Sequence, residues 1–302
     1  MAKIVNKLDG WLVIDKPYDM GSTTVVNRLK RYLHPSKIGH AGTLDPLATG
    51  VLPIALGQAT KTIPYVMDGD KIYQFEVSWG KETSTDDIEG EVIFESDNRP
   101  SLNEIENVLP EFLGEILQTP PKYSAIKING QRAYDLARKG ESVELKPRLV
   151  TIKELKVLSH APDKTLFEVC CSKGTYVRSL GHDLGRKLNC FGYITVLRRT
   201  KCGPFTLNHS ILLENFEKEE YNATDLSLIP ILTALDDILV LAVDEERAKA
   251  LWQGKAIDFK FDKSLISRSD EVVALQLAQQ IVALAKYEEG LLKPFRVFPK
   301  ES

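Results

Sequence analysis

Gly39-His40-Ala41-Gly42-Thr43-Leu44-Asp45-Pro46-Leu47-Ala48-Thr49-Gly50 holds one carboxylate in a loop punctuated by glycine and proline. A histidine stands at its entry, and a wholly apolar run, Val51 to Leu56, leaves it. Asp-Pro is a common turn initiator, so Asp45 taken alone reads as a loop residue. Held beside so much apolar sequence, such a carboxylate is either a turn-former or a chemical tool.

Working outward, Gly10 to Asp15 reads as a short strand, and Ser22 or Thr23 can N-cap a helix carrying Val25, Val26, Leu29, Tyr32 and Leu33 at helical spacing. Ile72 to Trp79 alternates, with Tyr73, Phe75, Val77 and Trp79 on one face, and runs into a polar turn, Thr83 to Gly90. Ser101 caps a helix with Leu102, Ile105, Val108, Leu109, Phe112 and Leu113 on its apolar side. Pro120-Pro121 then stops any helix, and the basic segment up to Arg148 has few large apolar residues, so 120–148 reads as an insertion off the main sheet.

Alternation returns in Leu149 to Leu158, Thr165 to Cys171 and Tyr193 to Arg199, with a helix predicted from Tyr176 to Leu188. Runs of strands broken by three or four helices predict an α+β fold with a mixed, mainly antiparallel sheet flanked by helices. Residues 210–238 are acidic and loosely helical, which suits a connection between units. Leu239 opens a smaller one: a helix from Asp244 to Trp252 closed by Gly254, then β-prone stretches at Ile257–Phe261, Val272–Leu275 and Phe295–Phe298. Gln276 to Leu284 reads equally well as a helix. The expected organisation is therefore residues 1–238 and 239–302.

At 302 residues the chain is long enough for one large unit and one small one. Its four cysteines include no CxxC pair and its five histidines no HExxH spacing, so neither a zinc site nor a disulfide framework is expected. No run of 18 apolar residues occurs, so the expectation is a soluble, cytoplasmic protein with no membrane partner and reduced thiols. A net charge of −3 argues at first against a nucleic-acid partner. The average hides a segregation: residues 1–64 carry 8 basic and 4 acidic side chains, 68–119 carry 3 and 14, and 121–205 carry 17 and 7. Such blocks fit a chain with one RNA-facing side and one solvated acidic side.

Lys16-Pro17, the Asp45 dodecapeptide and Cys171-Ser172-Lys173-Gly174-Thr175-Tyr176-Val177-Arg178, in that order, resemble the signature set of the bacterial tRNA pseudouridine-55 synthases. The resemblance runs from about Gly10 to Pro204. It implies the pseudouridine synthase fold, and the run from Gly290 to Phe298 resembles the end of a small PUA-type RNA-binding β-barrel. The implied reaction cuts the bond between sugar and N1 of uracil, turns the base and rejoins the sugar to C5. No electrons are exchanged, so no cofactor and no metal are expected.

The resemblance assigns roles residue by residue. Asp45 is the catalytic carboxylate, and a carboxylate is a competent covalent catalyst at the anomeric carbon or at C6 of the base. Arg178 is the cation expected to hold it through two charge-assisted hydrogen bonds. Tyr73 is the tyrosine stacked on the target base, Leu197 lines the same pocket, and Tyr176 stands behind the arginine. His40 is the residue pushed into the stack when uridine flips out, as a base inside a folded loop must before it can react. Asp87 is an RNA-contacting carboxylate, although Ser84 stands where many members carry Asp. Lys16 and Lys173, in the outlying motifs, are expected at the RNA surface. Lys122, Tyr123, Lys127, Arg132 and Arg138 of the insertion are expected to close over the T-arm of tRNA, phosphates to cations and bases to tyrosine, with Gly130 and Gly140 letting the segment move.

Two other classes compete. A non-catalytic tRNA-binding or tRNA-folding protein would use the basic blocks and keep Asp45 as a turn residue. A small-molecule hydrolase with an Asp nucleophile would show no salt-dependent tRNA affinity. A synthase that needs a guide RNA and partner proteins is disfavoured by the bacterial-like length, so no obligatory protein partner is expected.

Overall fold

The computed structural model describes residues 6–124, 127–128, 131–132, 145–217, 226–266 and 271–300. The chain begins with β1 (Gly10–Lys16), α1 (Ser22–Leu33), β2 (Ile38–His40) and β3 (Thr49–Leu56), and passes through α2 (Ile63–Asp68) into β4 (Lys71–Trp79). A hairpin of β5 (Lys81–Thr83) and β6 (Val92–Glu95) and the helix α3 (Leu102–Val108) lead to β7 (Gly114–Gln118). The short pair β8 (Lys127–Ile128) and β9 (Gln131–Arg132) precedes β10 (Arg148–Ala161) and β11 (Lys164–Cys171). The helix α4 (Val177–Lys187) then feeds β12 (Gly192–Cys202), β13 (Phe205–Thr206) and β14 (Ser210–Leu212).

Ten strands join one sheet in the order β14-β1-β3-β12-β4-β11-β10-β7, with β2 on β3 and β13 on β12. Only the β1–β14 and β3–β12 pairings in it are parallel, so the mixed, mainly antiparallel sheet expected from the strand runs is what forms. Alternation decides which way each strand faces. On β1, Leu12 and Ile14 join the core under α1 with Val25, Leu29 and Leu33, while Trp11 and Val13 face the other side with Val51, Ala55 and Phe205. On β4, Phe75, Val77 and Trp79 pack with Phe167, Leu180 and Leu184 under α3 and α4. Phe75 stacks on Phe167 at 5.2 Å, and each such ring contributes about 1.5–3 kcal/mol by leaving water. Tyr73 and Leu197 touch both the α1 core and the α4 core, so they mark the seam between them.

Several local expectations differ from the structure. The apolar run after the Asp45 loop, which the sequence left unassigned, is β3, an inner strand despite Pro53, which sits opposite Val13. Gly50 starts it at φ 101, where a Cβ would stand 2.1 Å from the Arg199 carbonyl oxygen; only glycine lets β3 and β12 come this close. The N-cap of α1 is Gly21 with no side-chain bond, because Ser22 turns its hydroxyl to Leu44 instead. Ser101 and Glu104 do form a reciprocal capping box. The 210–238 connection holds β14, one helical turn and a 3-10 segment at Ile231–Leu235.

Beyond it, β15 (Leu239–Ala242), β16 (Ile257–Asp258), β17 (Val272–Leu277), β18 (Gln280–Glu288) and β19 (Leu291–Val297) form a second sheet, ordered β15-β17-β18-β19-β16. Residues 276–284, where a helix was the alternative, belong to the β17–β18 hairpin. The helix α5 (Glu245–Trp252), capped by Asp244, supplies Ala248 and Leu251 to this sheet's own core.

Candidate active site

Asp45 lies in the connection from β2 to β3, and the loop is pinned on both sides of it. Leu44 gives its N–H to Ser22 Oγ at 2.9 Å and accepts the hydroxyl proton back at 3.0 Å. Pro46 accepts from Lys16 Nζ at 3.0 Å and from the Met20 N–H at 3.2 Å. Lys16 is wholly buried, and its other two protons go to the carbonyls of Pro17 and Met20. Burial brings its ammonium down to about 8, with Asp45 pulling the other way. Lys16 is therefore buried and not at the RNA surface where it was expected: its donors go to three carbonyls, one of them in the Asp45 loop.

Arg178 stands in the first turn of α4, whose entry is fixed by Gln118. That buried side chain accepts the Tyr176 N–H at 2.8 Å and donates to the Tyr176 carbonyl at 3.1 Å. The Arg178 Nε lies 3.0 Å from Asp45 Oδ2, across 133 positions of sequence. Nη1 lies 3.4 Å from Asp87 Oδ2 and donates to the Thr85 carbonyl at 3.1 Å, and Nη2 donates to the Tyr123 carbonyl at 2.9 Å. The contact with Asp45 is one charge pair through Nε and not the two-pronged fork that was expected, since among the described residues the Nε–H is not aligned on an acceptor. Both terminal nitrogens are already engaged. The guanidinium is only 7 % exposed and Asp45 is 43 % exposed, so the cation is built into the wall and the carboxylate faces the opening.

The opening is a cavity of about 340 Å³ lined by Asp45, Tyr73, Tyr176, Arg178, Leu197 and the 172–175 turn. Burial pushes the Tyr73 phenol up to about 12, so across the neutral range it is a neutral ring with a proton to give. Burial also raises Tyr176. His40, at the end of β2, lies outside the cavity lining; its Nδ1 is buried with no partner among the described residues, and burial followed by Arg199 lowers its basicity. Asp87 is buried, with Thr85 Oγ1 and the Glu89 N–H on one oxygen and Arg178 on the other. It faces Arg178 and its own turn, not the surface where an RNA contact was expected.

Lys173 is exposed and pairs with Asp68 at 2.7 Å; Lys122 is exposed and Tyr123 half-buried. The backbone alone is described for Lys127 and Arg132, and Arg138 lies outside the described residues.

Sequence reasoning passed over three residues at this site. Arg199 is buried, donates to the carbonyls of Val51 and Gly42, and stands opposite Tyr73 in the β4–β12 register. Lys71 is buried and lines the cavity, donating to the carbonyls of Val66, Met67 and Gly69. Ser22 looks like a cap. The available signal for Arg199 was a charge at the end of an otherwise alternating strand, and a bulge between Arg199 and Lys201 hides its side.

The fold is shared with solved assemblies. The H/ACA RNP bound to a substrate RNA containing 2'-deoxyuridine has a TM-score of 0.72 at 23 % identity, covering 96 % of this chain and 85 % of that one. A Cbf5-Nop10-Gar1 complex gives 0.71 at 26 % identity, covering 97 % and 84 %. The match to the family model and to curated relatives places the chain in a class, the RNA pseudouridine synthases, which are isomerases. Within it, the chain belongs to the TruB family: the TruB family pseudouridylate synthase N-terminal domain matches residues 30–177 and the tRNA pseudouridylate synthase B C-terminal domain matches residues 178–240. The tRNA pseudouridine synthase B of Caulobacter sp. (strain K31) is 48 % identical over 299 residues, and that of Sinorhizobium medicae (strain WSM419) is 47 % identical over 299; each match covers 96 % of both chains.

Proposed function

We propose that this enzyme converts the uridine at position 55, in the T-loop of tRNA, into pseudouridine, with Asp45 as the catalytic carboxylate. One observation carries the reading: an open carboxylate on a pinned loop, charge-paired at 3.0 Å with a guanidinium that the wall holds from three further sides. The cation offsets the cost of keeping an anion beside Leu44 and Leu197. Opposite charges about 4 Å apart attract by about 4 kcal/mol at an effective dielectric of 20, enough to matter at this depth.

The flipped uridine enters the cavity with its ring on Tyr73 and its sugar toward Asp45. Stacking on an aromatic face contributes about 1–3 kcal/mol and holds the base after the bond to N1 breaks. Attack at C1′, attack at C6 and deprotonation of the sugar all start from the same anion beside the glycosidic bond. The base then turns within the cavity, C5 joins C1′, and the C5 proton leaves. His40 fills the vacated stack, and Lys122, Tyr123, Lys173 and the insertion receive the T-arm. The second sheet, taken as an RNA-contacting unit of residues 239–302 behind a catalytic unit of 1–238, completes the reading. The enzyme acts without an obligatory protein partner, in the cytoplasm. Among the described residues no helix is long and apolar enough to cross a membrane.

The test is tritium release from a T-arm stem-loop bearing 5-tritiated uridine. Wild type releases it; Asp45→Asn binds the stem-loop and releases none. No release by wild type overturns the assignment to position 55 and leaves another uridine of tRNA as the target.

A further inference from the structure

Arg178, His182 and Arg186 stand at i, i+4 and i+8 on α4 and so share one face. Opposite them, β5 and the turn after it carry Glu82, Asp86 and Asp87. Arg186 grips both oxygens of Glu82, Nε to Oε2 at 2.5 Å and Nη2 to Oε1 at 2.7 Å, a bidentate fork. The same guanidinium lies over the rings of Phe94 and Phe191, 4.9 and 4.7 Å from their centres. His182 puts Nε2 3.4 Å from Glu82 Oε2 and Nδ1 3.0 Å from Asp183 Oδ1. Asp86 holds a left-handed backbone, φ 61, with its carbonyl accepting the Ile194 N–H at 3.0 Å and its own N–H given to the Thr83 carbonyl at 3.2 Å.

We propose that His182 is a positioning residue of the isomerisation: its imidazolium ties Glu82 to α4 and opposes the charge of Asp86, which leaves Arg178 free to stay against Asp45. The link is covalent on one side, because Thr85 and Asp87, which hold Arg178 Nη1, are the two neighbours of Asp86. It is electrostatic on the other. Asp86 is half-buried, and the charges of His182 and Arg178 both favour its carboxylate. Without a charge at His182 the Asp86 carboxylate has Arg178 alone to oppose it, and Arg178 is drawn from Asp45 toward the turn. The inference rests on Asp45 and Arg178 being the working pair.

The charged groups facing His182 are Asp183, Arg178 and Arg186 on its own helix, Glu82 on β5 and Asp86 in the turn. The hydrogen bond with Asp183, ahead of the attraction of Asp86 and Glu82, raises the imidazole above its ordinary 6.5. A raised histidine gives its contribution fully below its unfolded value and loses it as pH climbs through the folded one. The clamp is therefore shut below neutrality and loosens on the alkaline side.

The experiment is single-turnover pseudouridine formation in tRNA, enzyme in excess, from about pH 6 to about pH 8, short of the full titration of Lys16, with tRNA affinity measured alongside. Wild type slows by about tenfold as His182 loses its proton, the size of coupling found within one charge network. His182→Gln runs at the wild-type alkaline rate at every pH with unchanged affinity, whereas His182→Arg carries the faster rate into alkali. Asp86→Asn, which removes the charge that needs opposing, flattens the profile at the faster rate and decides the matter if either His182 variant melts early. The inference is overturned if His182→Gln follows the wild-type curve in height and shape, or if Asp86→Asn keeps the alkaline fall. An inactive wild type overturns the reading of the reaction as well; an active wild type with unmoved variants overturns the clamp alone.

Discussion

The two walls of the cavity are held by different forces. On the Asp45 wall the loop is tied by backbone groups: Ser22 reads Leu44 through both its N–H and its carbonyl, while Lys16 and the Met20 N–H hold Pro46. On the Arg178 wall, α4 faces the 82–87 segment through cations and carboxylates, Arg178 with Asp87, His182 with Glu82 and Asp86, Arg186 with Glu82. Hydroxyl-to-backbone bonds do not titrate; the charges of the other wall answer to pH and salt. The Asp45 side thus answers to pH through Lys16 alone, brought down to about 8, whereas the Arg178 side answers through His182 and the carboxylates around it.

The sharpest way to break the comparison is to remove the one group the two walls meet over. Asp45→Asn costs on the order of a thousandfold or more in single-turnover rate while tRNA binding persists. Next in size, Arg178→Ala leaves Asp87 buried without its cation, and such a broken buried pair costs about 3–5 kcal/mol; urea unfolding shows it, with activity lost as well. On the backbone-tied wall, Ser22→Ala strands a buried N–H and carbonyl of Leu44 at a cost of about 1–3 kcal/mol, and its rate loss is the same at every pH. A Ser22→Ala rate loss that varies with pH in parallel with His182→Gln would show the two walls to be one unit.

The smallest effect sharpens the contrast through stability. Burial pushes Asp86 from its ordinary 3.8 up to about 6, so this group favours the fold below about pH 4 and disfavours it increasingly as pH rises through 6. Asp86→Asn escapes that cost. Its unfolding free energy relative to wild type rises between pH 4 and pH 7 by about 1–3 kcal/mol, read from paired melts.

Much of this was legible without coordinates. The alternation of Ile72 to Trp79 led to β4, and the Ser101-to-Glu104 spacing led to a true capping box. Asp45, Tyr73, Arg178 and Leu197 do line one cavity. What stayed hidden were residues whose local signal pointed elsewhere. Ser22 resembles a cap but bonds a loop 22 positions away, Lys16 resembles a phosphate ligand but is buried, and Arg199 resembles a surface strand cation but fills the floor of the site. In each case a polar group satisfied a distant backbone in preference to solvent, and nothing in its own neighbourhood records the partner.

Local chemistry determined the loop that presents Asp45, the faces of β1 and β4, and the charged stripe of α4, because turn preferences and side-chain periods act between near neighbours. Only the tertiary structure decided that Asp45 meets Arg178, that Lys16 faces inward, and that the 82–87 segment lies against α4. Those contacts follow from strand register, in particular the parallel pairing of Gly50 with Arg199, and register is settled by the packing of the whole sheet.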